Sequence, residues 1–501
     1  MKLGLIYLLL LFIFCSSLYA QNTREGETWQ PSKNYYPLKF IGTDANKLYL
    51  AYGVNEKESS HIQHISIETI DTLNLKHIST KNFTNVFSDK FDFYPEDVQL
   101  KNGKLNFLGS SYDKKTKNNQ LYRKVEIDSG VLSEKKLLWE YPSTYFESSS
   151  KKFKFSTNPK KDLILALGIQ TGSADNSFIH FAIIDSKYKL VKQIHAPMDL
   201  KGKNISITQF SIDEPGNVQL LLQYQRSEDS LDLGFSLFAF PIMTEDIIEY
   251  QLDLPEKQIT SIYFDLTEND HLKICGLYQS DFKVTDVSTG TFYMDIDRET
   301  GEVVHKSIIP FNASFLGNFA GETVKVSKDD FKHLKIISAT SKKDGSLQLL
   351  AEQTQISNLC ETDYRSGLVI CKDEFKAENI LIINFNNNAT IDWFQWIYKN
   401  QHSYDDGGMF LSFNLIEQDR ATFLLFNKSI EKKKQDDAIQ SKTITQIQVN
   451  GLNSSGQLEA RIVSLSCKFP LVTDCRFSST TSSHYYLRSD LSSSSILKIS
   501  Y

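Results

Sequence analysis

A short paragraph of sequence recurs eight times along the chain: a polar tight turn, an apolar-rich run, a polar loop, a second apolar run and another turn. The turn-and-run half reads, in order, DANKLYLAYG, KNGKLNFLGS, PKKDLILALG, EPGNVQLLLQY, ENDHLKICGLY, KDGSLQLLAEQ, EQDRATFLLFN and TSSHYYLRSD. Leu48, Leu105, Leu163, Val218, Leu272, Leu347, Phe423 and Tyr485 hold the equivalent place, so successive units lie about 54 to 76 residues apart. Apolar runs of this length, broken by Asp, Asn and Gly turns, are the strands of small antiparallel sheets. One such sheet cannot bury both of its faces alone. Radial stacking of the units solves this and predicts an all-β fold, a single β-propeller of four-stranded antiparallel blades. Eight blades is the reading the count favours; seven with an irregular end is the alternative.

Within a unit the order of strands follows from the turns. The first two strands are joined by tight turns such as KNGK and KKDGS, and the last two by turns such as RETG and NSSG. The connections between the middle strands are longer, through residues 110–119, 279–290, 357–377 and 428–441. In an antiparallel blade these middle connections emerge on the same side as the links between blades. That side, which also receives an insertion at 312–333, becomes the functional rim, and the opposite side is built from turns. The last unit ends at SSSSILKISY without a fourth strand. An N-terminal strand near 27–36, in ETWQPSKNYY, is expected to join the C-terminal blade and close the ring within 21–501, since an open strand edge invites aggregation.

Residues 1–20 have the basic, apolar and small-residue regions of a secretory signal peptide, with cleavage after Ala20. No later segment is a candidate membrane span. The formal net charge of -6 argues against a nucleic-acid partner. In an oxidising compartment the economical disulfides are Cys360 with Cys371 and Cys467 with Cys475, each closing a short loop, while Cys275 in LKICGLY reads as a buried free thiol.

Catalytic signatures are absent from the sequence: it contains no G-x-S-x-G, H-E-x-x-H, G-x-x-x-x-G-K-[ST] or G-x-G-x-x-G. His61 and His64 fall on opposite faces of a strand, and Asp295, Asp297 and Gly301 form a hairpin turn rather than a calcium loop, so no metal or other cofactor is expected. The densest unusual stretch runs from Trp393 to Gly408. It offers Trp393, Trp396, Lys399, Gln401, His402, Tyr404, Asp405 and Asp406 as ligand-binding candidates, because aromatic faces beside amide and carboxylate groups suit sugar or peptide recognition. The plainer reading of the same residues is an outer strand packed on the next blade, followed by a polar glycine turn.

This stretch, with LLAEQ and ILIINFNNNATIDW before it, resembles a group of exported Bacteroidota proteins with propeller-like repeats and no assigned activity. The likeness spans roughly residues 345–430 directly and implies location in the envelope or outside the cell. The leading functional expectation is a non-enzymatic binding or scaffold propeller that engages a protein or glycan through its long-loop face. Two alternatives stand beside it. One is a carbohydrate-active hydrolase or lyase with acidic residues in the central funnel, its catalytic residues unknown; the other is an accessory subunit of an outer-membrane complex.

Overall fold

A computed structural model describes residues 22–32, 35–54, 64–84, 86, 93–128, 130–143, 153–158, 160, 162–170, 177–198, 203–226, 233–244, 246–267, 271–280, 287–311, 331–362, 369–418, 421–428, 431–432, 439–440, 443–452, 458–466, 469–480, 483–490 and 492–500. The signal-peptide segment 1–20 lies outside these residues, as do His61 and most of the 312–333 insertion.

All the named elements are strands. The N-terminal strand is β1 (Asn22–Glu25). Blade 1 is β2 (Tyr35–Asp44), β3 (Lys47–Val54), β4 (His64–Asp71) and β5 (His77–Thr84). Blade 2 is β6 (Phe93–Lys101), β7 (Lys104–Asp113), β8 (Asn118–Asp128), the short β9 (Val131–Leu132) and β10 (Lys136–Pro142). Blade 3 is β11 (Lys154–Thr157), β12 (Leu163–Gln170), β13 (Ser177–Asp185) and β14 (Leu190–Met198). Blade 4 is β15 (Lys203–Ile212), β16 (Val218–Gln225), β17 (Leu233–Phe240) and β18 (Ile248–Gln251). Blade 5 is β19 (Gln258–Leu266), β20 (His271–Gln279), β21 (Gly290–Asp297) and β22 (Val303–Pro310). Blade 6 is β23 (Leu334–Ser341), β24 (Leu347–Thr362), β25 (Val369–Phe385) and β26 (Ile391–Ile397), with β27 (Gln401–Tyr404) added beside β25. Blade 7 is β28 (Asn414–Gln418), β29 (Ala421–Asn427), β32 (Thr443–Leu452) and β33 (Leu458–Ser466), and the small pair β30 (Glu431–Lys432) and β31 (Ile439–Gln440) caps its middle connection. Blade 8 is β34 (Leu471–Thr480), β35 (Ser483–Ser489), β36 (Ser494–Ser500) and β1.

The chain is therefore a β-propeller in which seven four-stranded antiparallel blades each come from one continuous stretch, and a closing eighth is composite. Eight apolar clusters, one for each neighbouring pair, complete the ring. Ile67 with Phe107 joins blades 1 and 2, Tyr141 with Ala182 blades 2 and 3, and Phe181 with Phe240 blades 3 and 4. Phe235 with Ile274 joins blades 4 and 5, Tyr293 with Phe385 blades 5 and 6, and Leu350 with Leu424 blades 6 and 7. Leu425 with Tyr486 and Leu487 with Leu50 finish the circuit. First strands approach first strands, β2 with β6 and β34, β11 with β15, and β19 with β23, so they surround the central axis.

Strand periodicity explains why the middle strands are apolar along their whole length. On β24, Leu347, Leu349 and Ala351 face blade 5, while the intervening Leu350 faces blade 7. Both faces are buried, as in the central strands of a sheet covered on each side. Turn chemistry is equally regular. Asp71, Asp185, Asp213 and Asp297 each accept backbone N–H bonds through Oδ1 from residues two to four positions on. Asp297 is thus engaged by its own hairpin, and Asp295 bonds to His271 Nδ1 at 2.8 Å.

Two expectations need correction. The closing strand is Asn22–Glu25, paired antiparallel with Leu497–Ser500, whereas Tyr35 and Tyr36 already belong to blade 1. The chain follows the edge of β36 past Gly26, where a Cβ would meet the Leu75 carbonyl oxygen at 2.4 Å, to Trp29, which exchanges backbone hydrogen bonds with Ser494 and plugs the seam between blades 8 and 1. The second concerns the middle connections. Residues 110–119 are mostly ladder, since β7 runs to Asp113 and β8 resumes at Asn118 around a turn that Asp113 caps. Residues 357–362 and 369–377 likewise belong to two long strands. Polar residues in a ladder that leaves the packed ring read as loop, because nothing there demands apolar alternation.

Candidate functional site

The 357–377 region is the most distinctive part of the rim. β24 and β25 are 16 and 17 residues long, so the hairpin continues well past the end of the blade. Cys360 and Cys371 face each other across it and are disulfide-bonded. Beyond the blade, β25 gains β27 as a second neighbour, with Glu374 opposite Tyr404 and Lys376 opposite His402. The result is a three-stranded platform standing on the long-loop side of blade 6.

Opposed residues in an antiparallel ladder share a face, which sorts the platform into two sides. One side carries Ser357, Glu374, Lys376, His402 and Tyr404. Glu374 is their hub: its carboxylate accepts from His402 Nε2 at 2.6 Å and Ser357 Oγ at 2.9 Å, with Lys376 Nζ at 3.2 Å. The His402 hydrogen bond, with the help of Ser357 and Lys376, holds the Glu374 carboxyl down at about 2. The other side carries Ile356, Phe375 and Ser403; Ser403 donates to Asp406 and the Gly408 backbone lies beside Phe375 near the blade, while Ile356 stays open to solvent.

Behind the platform lies a buried polar network. Lys399 Nζ sits 2.6 Å from Glu352 Oε1 and donates to Gln401 Oε1 at 2.6 Å and to the Ala377 carbonyl at 3.1 Å. Ser412 donates to Glu352 at 2.6 Å. Gln401 passes the network to the Asn427 carbonyl, and the Asn427 side chain bonds the backbone of Phe410 and Leu471. Blades 6, 7 and 8 are thereby tied together at the rim. Burial drives Glu352 above the usual carboxylate range and Lys399 below the usual lysine range, and each opposes the other's shift by its charge.

The candidate residues fall into three groups. Trp393 and Trp396 are buried between blades, the former against blade 7 and the latter against blade 5, so their rings are core and not rim. Lys399 and Gln401 are also buried, in the polar network; Asp406 accepts from Ser403 and the Gly408 N–H. Asp405 occupies a bend with φ of 52° and exchanges hydrogen bonds with the Asp373 backbone. His402 and Tyr404 are the members that reach the platform's outer face. The sequence reading missed Glu374, Ser357 and Glu352, because their roles depend on partners far along the chain. Cys275 is a free, fully buried thiol, which burial pushes up from its ordinary pKa. Cys467 and the Cys475 side chain lie outside the described residues.

Among the described residues no group of three or more His, Cys, Asp or Glu stands together as a metal site, and Glu352 is the one carboxylate driven above its ordinary range. No helix among them is long and apolar enough to cross a membrane.

No protein-family model and no curated protein matches the chain. Solved structures of similar overall layout include the β-propeller domain of the trilobed protease from Pyrococcus furiosus, at 9% identity over 87% of this chain and 95% of that one, with a TM-score of 0.34. The polysaccharide lyase Uly1 is 9% identical over 94% of this chain and 90% of its own, TM-score 0.40. A Synechocystis apocarotenoid oxygenase mutant is 9% identical over 92% and 96%, TM-score 0.39. At these levels the likeness says nothing of chemistry.

Proposed function

We propose that the chain is an exported, non-enzymatic binding or scaffold propeller that engages a protein partner through the β24–β25 platform. The observation that carries this reading is an extended hairpin, clamped by a disulfide and braced by β27, that takes no part in ring closure yet presents apolar side chains to solvent. Ile356 is 68% exposed and Val369 62%, with Leu359 at 43%. Ordering such a projection costs conformational entropy that the ring does not recover, and rigid apolar anchors on a preformed element suit recognition. A disulfide at its tip fits an oxidising compartment, in line with export.

A protein is favoured over a glycan because the tryptophans suited to stacking on sugars are core residues. For an acid-lined funnel of a hydrolase or lyase, three described carboxylates on axial strands are already engaged: Asp97 with Lys39, Glu96 with the Ser110 hydroxyl and Asp265 with the Ser341 N–H. An accessory role in an outer-membrane complex is a particular case of the binding reading.

The test is site-specific photo-cross-linking in the native host, with the probe at Ile356 or Leu359 and a control probe at Val304 on the outer strand of blade 5. A discrete adduct from the platform positions alone is expected. Adducts from Val304 but not from the platform would move the contact to the blade sides, and no adduct from any position would overturn the binding reading.

A further inference from the structure

On blade 3, outside the platform, two histidines face each other from neighbouring strands. His180 on β13 and His195 on β14 are directly opposed in the antiparallel register, and their Nδ1 atoms lie 2.6 Å apart. The His180 ring is fixed in place. Tyr141 of blade 2 stacks on it with ring centroids 4.8 Å apart and an interplanar angle of 21°, and Asn119 Nδ2 donates to the Tyr141 hydroxyl at 3.0 Å. The residue paired with His180 on its other side is Gly168, where a Cβ would strike the Tyr141 ring at 2.4 Å. A glycine thus makes room for the ring that positions the histidine. His180 is 2% exposed, whereas His195 is exposed and gives an ion a route from solvent.

We propose that His180 and His195 form a two-nitrogen site for a divalent transition-metal ion of the copper and nickel type. Metal–imidazole bonds of about 2.05 Å at a right angle put two nitrogens about 2.9 Å apart, and a tetrahedral angle puts them about 3.3 Å apart. The metal-free separation is that of a hydrogen bond, so the rings part slightly to admit an ion, and the ordinary affinity order of imidazole sites puts Cu2+ ahead of Zn2+. Both imidazoles bind the ion in the neutral form, through Nδ1. In the metal-free pair one Nδ1 carries the shared proton. Binding moves that proton through water to the Nε2 of the same ring, so no net proton is released and no bond to carbon changes.

The experiment uses the whole protein, stripped with a chelator and titrated with Cu2+ against a glycine competitor, read by electron paramagnetic resonance and by thermal unfolding. One tightly held Cu2+ per chain with a two-nitrogen signature is expected, together with a copper-dependent rise in Tm. His195→Gln should weaken that binding at least about tenfold and abolish the copper-dependent rise in Tm, each variant being compared with its own copper-free Tm. Zn2+ should bind more weakly than Cu2+ in the wild type. Equal copper affinity in wild type and His195→Gln, or tighter binding of Zn2+ than of Cu2+, would overturn the proposal.

Discussion

Substituting Lys399 by Met tests the buried network at its most loaded point. The methionine fills most of the lysine's volume but removes the ammonium from a side chain that is 1% exposed, beside a glutamate that is wholly buried. Glu352 keeps the Ser412 hydrogen bond and loses its counter-charge; Gln401 and the Ala377 carbonyl lose a donor. Breaking one side of a buried ion pair costs about 3–5 kcal/mol, far above the value of a surface pair, because the remaining charge stays desolvated. Urea unfolding followed by tryptophan fluorescence should show the loss as a lower midpoint. The double variant Glu352→Gln/Lys399→Met removes both charges and should recover most of the stability. In Lys399→Met alone, Glu352 has its folded pKa raised by burial and by the absence of the cation. Protonation then favours the folded state, so the deficit should shrink as pH falls from 7 toward 5. A single variant within about 1 kcal/mol of wild type, or a double variant no better than the single, would refute the view that the pair is held by mutual compensation in a dry site.

The remaining expectations concern packing, the disulfide and acid sensitivity. Gly276→Ala forces a Cβ to within 2.1 Å of the Phe292 ring and 2.8 Å of the Ser261 carbonyl, and should cost about 1–3 kcal/mol in the same unfolding assay. Reducing Cys360–Cys371, or replacing both by Ser, opens a closure of 11 residues worth about 3 kcal/mol by chain entropy. Because the hairpin projects from the ring, hydrogen exchange should rise sharply in 354–377 while the global midpoint barely moves. For Glu374, whose folded pKa near 2 lies below its ordinary 4.5, the stabilisation is complete above pH 4.5 and disappears as pH falls toward 2. Pepsin cleavage beside Phe375, normalised at each pH to an unstructured peptide, should accelerate as pH falls through that window, and Glu374→Gln should cleave rapidly throughout it; a flat normalised profile in the wild type would count against the hub role.

Much of the fold is legible in the chain because a blade is built from local rules. Alternation at Leu347, Leu349 and Ala351 against Leu350, and the caps of Asp71, Asp185, Asp213, Asp297 and Asp344 on their own turns, act over two to four residues. Eight copies of that pattern are enough to set the strand order, while the choice between seven and eight blades turns on where the N-terminal strand pairs. What lies beyond short range was not legible. The choice of Asn22–Glu25 as the closing strand depends on Gly26 slipping past Leu75 and on Trp29 finding a seam built from both ends of the chain. Polar ladders such as Asp113 and Asn118, or Ser357 and Glu374, carry no apolar period once a strand leaves the packed ring, so their length comes from pairing alone.

The stretch from Trp393 to Asp406 marks the same boundary at the candidate site. Composition singles it out as the densest unusual stretch, but residue type says nothing of which side a ring or a charge faces when both sides of a strand find partners. Tertiary structure decided that Trp393 and Trp396 belong to the interfaces, that Lys399 answers Glu352, and that His402 and Tyr404 stand outside beside Glu374. Period and turn are properties of neighbouring residues and survive in the sequence. Burial of a charge is a property of what arrives from 47 residues away, as Lys399 does for Glu352, and exists only once blades 6 and 7 have packed together.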